Sequence, residues 1–90
     1  MFHIDDDALR FLSDKLREGG VGQDVVLRLL ADEQGCELVP DQLRDWDRVY
    51  EFAGQPVVVT DPDTAGRLED RRLTLSGSNV ELTRHTSSAR

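Results

Sequence analysis

Two pairs of strand-like runs, each separated by a short turn-forming segment, restrict the possible folds more than any other feature of the sequence. The first pair is Arg48–Phe52 and 57–60, around Ala-Gly-Gln-Pro, and the second is 71–75 and 80–83, around Ser-Gly-Ser-Asn. Apolar and β-branched runs separated by a few turn-forming residues are typical of β-hairpins. The sequence therefore predicts two hairpins with four-residue turns, and with them an antiparallel or mixed sheet.

The N-terminal part of the chain has the pattern of a short strand followed by an amphipathic helix. Residues 2–4 favour the strand, and Asp5-Asp6-Asp7 then supplies the acceptors and negative charge that favour a helix start. Gly19-Gly20 can take the left-handed backbone that ends a helix. Between these points the apolar residues fall on one helical stripe, which consists of Ala8, Leu9, Phe11, Leu12 and Leu16.

The centre of the chain is predicted to hold two more strands, and a second helix follows the first hairpin. Residues 25–31 are leucine-rich and β-branched, with Arg28 on the face opposite Val25, Leu27 and Leu29. A short strand at 36–39 is expected to end at Pro40, with 41–47 as an irregular connection. Asp61 as cap and Pro62 at the first helical position predict a short helix to about Glu69.

This order of elements predicts an α+β fold with mixed or antiparallel, sandwich-like sheets and two short helices. The length of 90 residues and the hydrophobic content of 38% fit one globular domain with a thin core. We assign that domain to residues 1–84 and expect 85–90 to form a flexible C-terminal tail, since they contain little that is apolar.

Charge excludes several classes of partner. The formal net charge of -7 repels both a nucleic-acid backbone and an anionic membrane surface. No apolar run has the length of a membrane span, and the opening residues lack the pattern of a signal peptide, so we expect a cytoplasmic protein. Basic residues are concentrated after position 66, where Arg67, Arg71 and Arg72 form either an ordinary solvated surface or one edge of an interface.

No set of residues in the sequence specifies a reaction, so we predict that the protein is not an enzyme. The single cysteine, Cys36, lies far in sequence from both histidines, His3 and His85, and a structural zinc site would need four ligands. A Cys–His pair would require the fold to bring one end of the chain to Cys36. Acidic neighbours, with six acids and one base within 32–47, disfavour the reactive thiolate form of Cys36.

Other motifs have structural explanations. Asp5-Asp6-Asp7 is consistent with a cation site, but a helix start attracts acids for capping reasons alone. Gly19-Gly20-Val21-Gly22 lacks the Lys-Ser or Lys-Thr of a phosphate loop and is interpreted as a helix exit. Trp46 and Tyr50 are interpreted as core edges or interface anchors.

Several stretches together resemble the HesB/IscA-like family of A-type iron–sulfur cluster carriers. The run Leu-Arg-Leu-Leu-Ala-Asp-Glu-Gln-Gly-Cys at 27–36 is similar to the strand and loop that deliver the family's first ligand cysteine. Phe-His-Ile-Asp-Asp-Asp-Ala at the start and Val-Tyr-Glu-Phe-Ala-Gly-Gln-Pro-Val-Val-Val-Thr-Asp-Pro-Asp at 49–63 are similar to its opening strand and helix and to its hairpin. The resemblance covers roughly residues 2–84 and implies the family's fold, with Cys36 at the position of a ligand.

The chain also departs from the family at the ligand positions. Glu37-Leu38 stands where Ser-Gly usually follows the first cysteine, and the C-terminal Cys-Gly-Cys is absent after Val80. The expected function is therefore that of a non-catalytic accessory or interaction protein that has lost the family's usual cluster carriage and holds no cofactor. It would act through a protein partner or through self-association, for example as a homodimer.

Two alternatives remain open. Cys36 shared between subunits, helped by His85 or a small thiol, would bind iron or deliver a labile iron–sulfur cluster. The other alternative is a small enzyme or a toxin–antitoxin-type binding partner on a different α+β fold.

Overall fold

The chain alternates short strands with two helices, in the order expected from its sequence. The computed structural model describes residues 2–19, 25–32 and 35–84. The elements in chain order are β1 His3–Ile4, α1 Asp6–Glu18, β2 Val25–Asp32, β3 Gly35–Gln42, β4 Arg48–Phe52, β5 Gln55–Thr60, α2 Pro62–Arg67, β6 Arg71–Ser76 and β7 Asn79–Arg84. The predicted α+β class is confirmed. The tail predicted for 85–90 lies outside the described residues.

The strands form two mixed sheets. A three-stranded sheet has the order β1-β6-β7, with β1 parallel and β7 antiparallel to β6. A four-stranded sheet has the order β3-β2-β5-β4, in which β2 and β5 run parallel at the centre and each hairpin partner lies at an edge. The two predicted hairpins are thus β4-β5 and β6-β7, and β2-β3 is a third antiparallel pair.

The helix α1 packs against strands of both sheets, which gives the sheets a common hydrophobic core. Its stripe behaves as predicted, because Ala8, Leu9 and Leu12 are buried while Phe11 and Leu16 pack partly against the same cluster. The sheets contribute fully buried side chains to that cluster: Leu29, Val58 and Leu73. Within the described part of the chain, no helix is long and apolar enough to cross a membrane.

Both helices begin where the sequence predicts, but some of their end contacts and end points differ from the prediction. Asp5 precedes α1, but its side chain makes no capping bond and instead accepts a hydrogen bond from Arg72 Nε at 2.7 Å. Gly19 has φ of -72°, so the predicted left-handed exit is wrong at this residue, and Gly20 lies outside the described residues. Asp61 caps α2 by accepting a 2.7 Å bond from the Thr64 N–H, as predicted. This helix ends at Arg67, before the predicted Glu69.

The predicted end of the third strand at Pro40 is wrong. Strand β3 continues through Pro40 to Gln42, with Pro40 opposite Leu27 of β2. Because β3 is an edge strand, it has one side without a neighbouring strand, and an edge tolerates a residue that has no N–H to donate. The strand therefore extends into the segment that was predicted to be irregular.

Both hairpin turns contain two residues, so the predicted four-residue turns are wrong. Gly77-Ser78 joins β6 to β7, with Gly77 at φ of 62°. Ala53-Gly54 joins β4 to β5, with φ of 54° and 79°. Two consecutive positive φ values fit a type I′ turn, which matches the twist of the flanking strands. The sequence obscured this turn because alanine is a poor residue for its first position.

Replacing Ala53 with asparagine is expected to raise the free energy of unfolding by about 0.5–1 kcal/mol, because alanine is strained at positive φ while asparagine tolerates it. Gly54→Ala provides the opposite case. A methyl group there would meet no atom within 4 Å, so its expected loss of about 1 kcal/mol comes from the backbone alone. Urea unfolding measures both changes, and equal stability of Ala53→Asn and the wild type would contradict the type I′ assignment.

Candidate functional site

Cys36 is the second residue of β3, next to the tip of the β2-β3 pair. It lies opposite Ala31, and alternation along the strand places it on the same face as Leu38, which packs against the core. The cysteine itself is exposed, although Ala31 opposite it packs against the core. Its thiol can therefore be reached by another molecule.

Partial burial against the hairpin raises the pKa of the Cys36 thiol above its usual value. The predicted direction is confirmed, since the thiolate is disfavoured, but the cause among the described residues is loss of solvent and not the acidic neighbours. A raised pKa leaves a smaller fraction of the thiol at neutral pH as the thiolate, which is the nucleophilic and metal-binding form.

The described residues do not bring a ligand set to Cys36. His3 belongs to β1 in the other sheet, where its Nε2 lies 3.5 Å from Asp5 Oδ1, and His85 lies outside the described residues. No group of three or more His, Cys, Asp or Glu side chains in the described ranges is arranged to hold a metal ion. Asp5 is used in an ion pair with Arg72, while Asp6 and Asp7 are exposed on the first turn of α1.

A different group of residues forms the most constrained polar cluster of the described chain. Strands β3 and β4 lie at opposite edges of their sheet, so residues 43–47, which we call the crossover segment, must pass across β2 and β5. Three interstrand spacings amount to about 14 Å. Five residues can span that distance, because each advances the chain by up to about 3.5 Å.

Arg28 fixes both ends of this crossover segment. Its Nε donates to Asp41 Oδ2 at 2.6 Å, and its Nη1 and Nη2 donate to the two carboxylate oxygens of Asp47 at 2.8 and 2.7 Å. The Gln42 carbonyl accepts a further bond from Nη2 at 3.1 Å. Arg28 projects from the face of the four-stranded sheet opposite α1, which we call the far face, so the segment runs over that face.

The Asp47 carboxylate also shapes the segment internally. It accepts a 2.8 Å hydrogen bond from the Arg44 N–H, and the Asp47 N–H donates back to the Arg44 carbonyl at 3.0 Å. These bonds close a turn at residues 45–46. The side chain of Asp47 is fully inaccessible to solvent and that of Arg28 is 7% accessible, so the pair is shielded from competing water.

The sequence interpretation missed this cluster. It placed Arg28 on the face opposite Leu27 and Leu29, which is confirmed, but assigned no partner to it. The available signal was an arginine within an apolar run, followed 13 and 19 residues later by aspartates. That signal is weak without the strand order. Pairing of β3 with β2 brings Asp41 to Arg28, but Asp47 reaches Arg28 only because the chain crosses from β3 to β4 at the opposite edge.

Both aspartates of this cluster are held in the charged form. Hydrogen bonds from Arg28 lower the pKa of Asp47, although its burial opposes them, and the backbone N–H of Gln42 together with Arg28 lowers the pKa of Asp41. A carboxylate whose pKa is lowered by folding stabilises the folded state above its unfolded-state pKa, near 3.9. This stabilisation is lost as the pH falls through the lower, folded-state value.

We expect the free energy of unfolding to fall below about pH 4, in part because Asp41 and Asp47 become protonated. Asp47→Asn should be less stable than the wild type at pH 7 and should lose less between pH 5 and pH 3, since it has one fewer carboxylate to titrate. Urea unfolding at these pH values measures both slopes. Parallel pH profiles for the two proteins would show that Asp47 does not contribute to acid sensitivity.

The two aromatic residues considered as core edges or interface anchors have different environments. Tyr50 is half-buried and makes an edge-to-face contact with Phe2, with ring centroids 5.5 Å apart, so it belongs to the edge of the core. Trp46 lies at the turn of the crossover segment and is 60% exposed. Leu43 of the same segment is 47% exposed. The segment thus holds two large apolar side chains in solvent.

Comparisons with known proteins support the fold. No protein-family model matches the sequence, and no curated protein matches it. The structure is similar to the solution NMR structure of a protein from Aquifex aeolicus, with a TM-score of 0.59 and 20% identity over 92% of this chain and 88% of that chain. It is also similar to Escherichia coli SufA, a protein involved in the biosynthesis of iron–sulfur clusters, with a TM-score of 0.59 and 14% identity over 99% of this chain and 82% of that one. The chain therefore shares its fold with a protein of iron–sulfur cluster biosynthesis.

Proposed function

We propose that this protein is a non-catalytic accessory or interaction protein on an iron–sulfur biogenesis fold, and that it does not carry a cluster in the way of the HesB/IscA-like family. The observation that supports the proposal is the combination of a SufA-like fold along 99% of the chain with one cysteine in the whole sequence. The proposal includes membership of the family as a degenerate cytoplasmic member whose domain spans residues 1–84.

The ligand chemistry of Cys36 supports the loss of carriage. Iron–sulfur clusters are usually held by four thiolates, or by thiolates together with histidines. One chain supplies a single thiol, and partial burial raises the pKa of that thiol. The residues of one chain therefore do not fit a cluster as cargo, and even two chains would supply half of the usual thiolates.

The second candidate function is binding of iron or a labile cluster by Cys36 from two subunits. The observation in its favour is the exposure of Cys36 beside the tip of a hairpin, where a second copy of the chain can reach it. This arrangement would require ligands from outside the described residues or a small thiol to complete the set.

Anaerobic reconstitution with ferrous iron and sulfide separates the two candidates. Three proteins are treated in parallel: the wild type, Cys36→Ser and Cys36→Ala. Their absorption spectra are recorded after unbound iron has been removed. We expect the three proteins to show no stoichiometric chromophore. A chromophore that is stoichiometric in the wild type and lost in both variants would contradict the proposal and support the shared-cysteine alternative.

A further inference from the structure

We infer that the crossover segment, residues 43–47, is a docking surface for a basic protein partner whose apolar side chains contact Trp46. The inference rests on the proposed function of an interaction protein and assigns to it a surface and a class of partner. It is carried by the exposure of Trp46 and Leu43, by the fixation of both ends of the segment on Arg28, and by the charge of the chain.

Trp46 is presented to solvent on a constrained backbone. Tryptophan is enriched among the residues that dominate protein–protein binding, and 60% of Trp46 lies in solvent in the isolated domain. Here the backbone that carries Trp46 is closed into a turn by Asp47, and Asp47 is bound by two hydrogen bonds to Arg28. A preorganised backbone reduces the entropy lost on binding, which favours affinity.

Exposed apolar side chains are concentrated on the side of the sheet that carries the crossover segment. The far face of the four-stranded sheet also carries Leu30 and Val49, which are 39% and 38% exposed. These two residues and the crossover segment belong to the same side of the sheet, away from α1. Together with Leu43 and Trp46 they account for four of the five large exposed hydrophobic side chains in the described ranges. Such concentration on one side is typical of an interaction surface.

The charged residues on and beside the far face indicate the sign of the partner's charge. Glu37, Asp45 and Glu51 are exposed on or beside the far face, and none of them forms an ion pair with a described residue. Of the two nearby arginines, Arg44 lies 3.7 Å from Asp41 and is partly balanced by it, which leaves Arg48.

The whole chain is also acidic, with a formal net charge of -7. A second copy of the chain, with the same charge, would be repelled at low salt, and so would a nucleic acid. A segment that combines lysine or arginine with apolar side chains is the complementary partner.

Selection from a random linear peptide library displayed on phage tests the inference. The library is cleared on immobilised Trp46→Ala protein and then selected on the wild type, so that retained peptides depend on Trp46. We expect these peptides to combine positive net charge with apolar residues. Failure to enrich any peptide, or enrichment of acidic or neutral peptides, would overturn the inference.

Binding of one enriched, dye-labelled peptide is then measured by fluorescence anisotropy. Trp46→Ala should weaken binding by at least about 30-fold, the size expected for a dominant interface residue. Leu75→Ala is the matched control, since Leu75 is 37% exposed but lies on the other sheet, and it should change binding by less than about twofold. Affinity should decrease as salt is raised. Equal effects of the two substitutions would contradict the assignment of the surface.

Sedimentation of the wild type and Trp46→Ala checks for a second copy as the occupant. We expect both proteins to have the same mass over the concentration range used for binding. A dimer that forms in the wild type and is lost in Trp46→Ala would overturn the basic partner in favour of self-association. The test is independent of the reconstitution experiment, because a cluster on Cys36 would contradict the proposed function without changing how binding depends on Trp46.

Discussion

Arg28→Met is expected to lower the free energy of unfolding by about 3 kcal/mol, because it leaves the inaccessible carboxylate of Asp47 without its partner. This value is the lower end of the range for breaking a buried ion pair, and we choose it because the guanidinium lies one layer below the surface of a thin domain. A chain of 90 residues has a total stability of roughly 5–13 kcal/mol. The loss would therefore be a large fraction of the total.

Two substitutions serve as controls for Arg28→Met. Arg28→Lys keeps the positive charge but cannot bind Asp41 and both oxygens of Asp47 at once, so its loss of stability should be intermediate. Arg10→Met removes an exposed arginine from α1 and should change stability by less than about 0.5 kcal/mol. Equal stability of the Arg28 and Arg10 variants in urea unfolding would show that the ion pairs do not hold the crossover segment.

Leu73→Ala is expected to lower the free energy of unfolding by about 3 kcal/mol, since Leu73 is fully buried at the centre of the three-stranded sheet. It lies opposite Ile4 of β1 and Leu82 of β7, and its loss would leave a cavity between that sheet and α1. Leu75→Ala, two residues later on the same strand and 37% exposed, should cost less than about 1 kcal/mol. Similar losses for the two variants would contradict the packing of this sheet on the common core.

Local sequence patterns predicted most of the elements because their causes are local. The stripe of α1, the capping of α2 by Asp61 and the two hairpins each depend on residues that are close in sequence. The predicted turn lengths were wrong because the strands of each hairpin pair closer to the turn than expected, which leaves two residues in the turn. At Ala53 the turn requires a positive φ, which alanine disfavours. The sheet imposes that conformation on the turn.

The crossover segment was not predictable because it depends on strand order. Whether residues 43–47 form a local loop or cross the sheet is decided by the placement of β3 and β4 at opposite edges, and no local pattern reports that placement. The same reason explains Pro40, which was expected to end a strand and is accommodated because β3 is at an edge. Arg28 could be assigned to a face of its strand, but its partners could not be identified.

The candidate site changed accordingly. The sequence pointed to Cys36 as the candidate ligand. In the structure its thiol is exposed, and no set of metal ligands surrounds it among the described residues. The constrained polar chemistry lies instead around Arg28, where it positions a backbone and presents Trp46. This arrangement is the basis on which we propose that the protein binds another protein.

The proposed loss of cluster carriage on an iron–sulfur biogenesis fold can be measured by counting iron and sulfide. Iron and acid-labile sulfide are measured per chain in the wild type and in Cys36→Ser, both produced and purified without oxygen. We expect both contents to be far below one per chain and equal in the two proteins. A stoichiometric content of iron and sulfide in the wild type that is absent from Cys36→Ser would contradict the account.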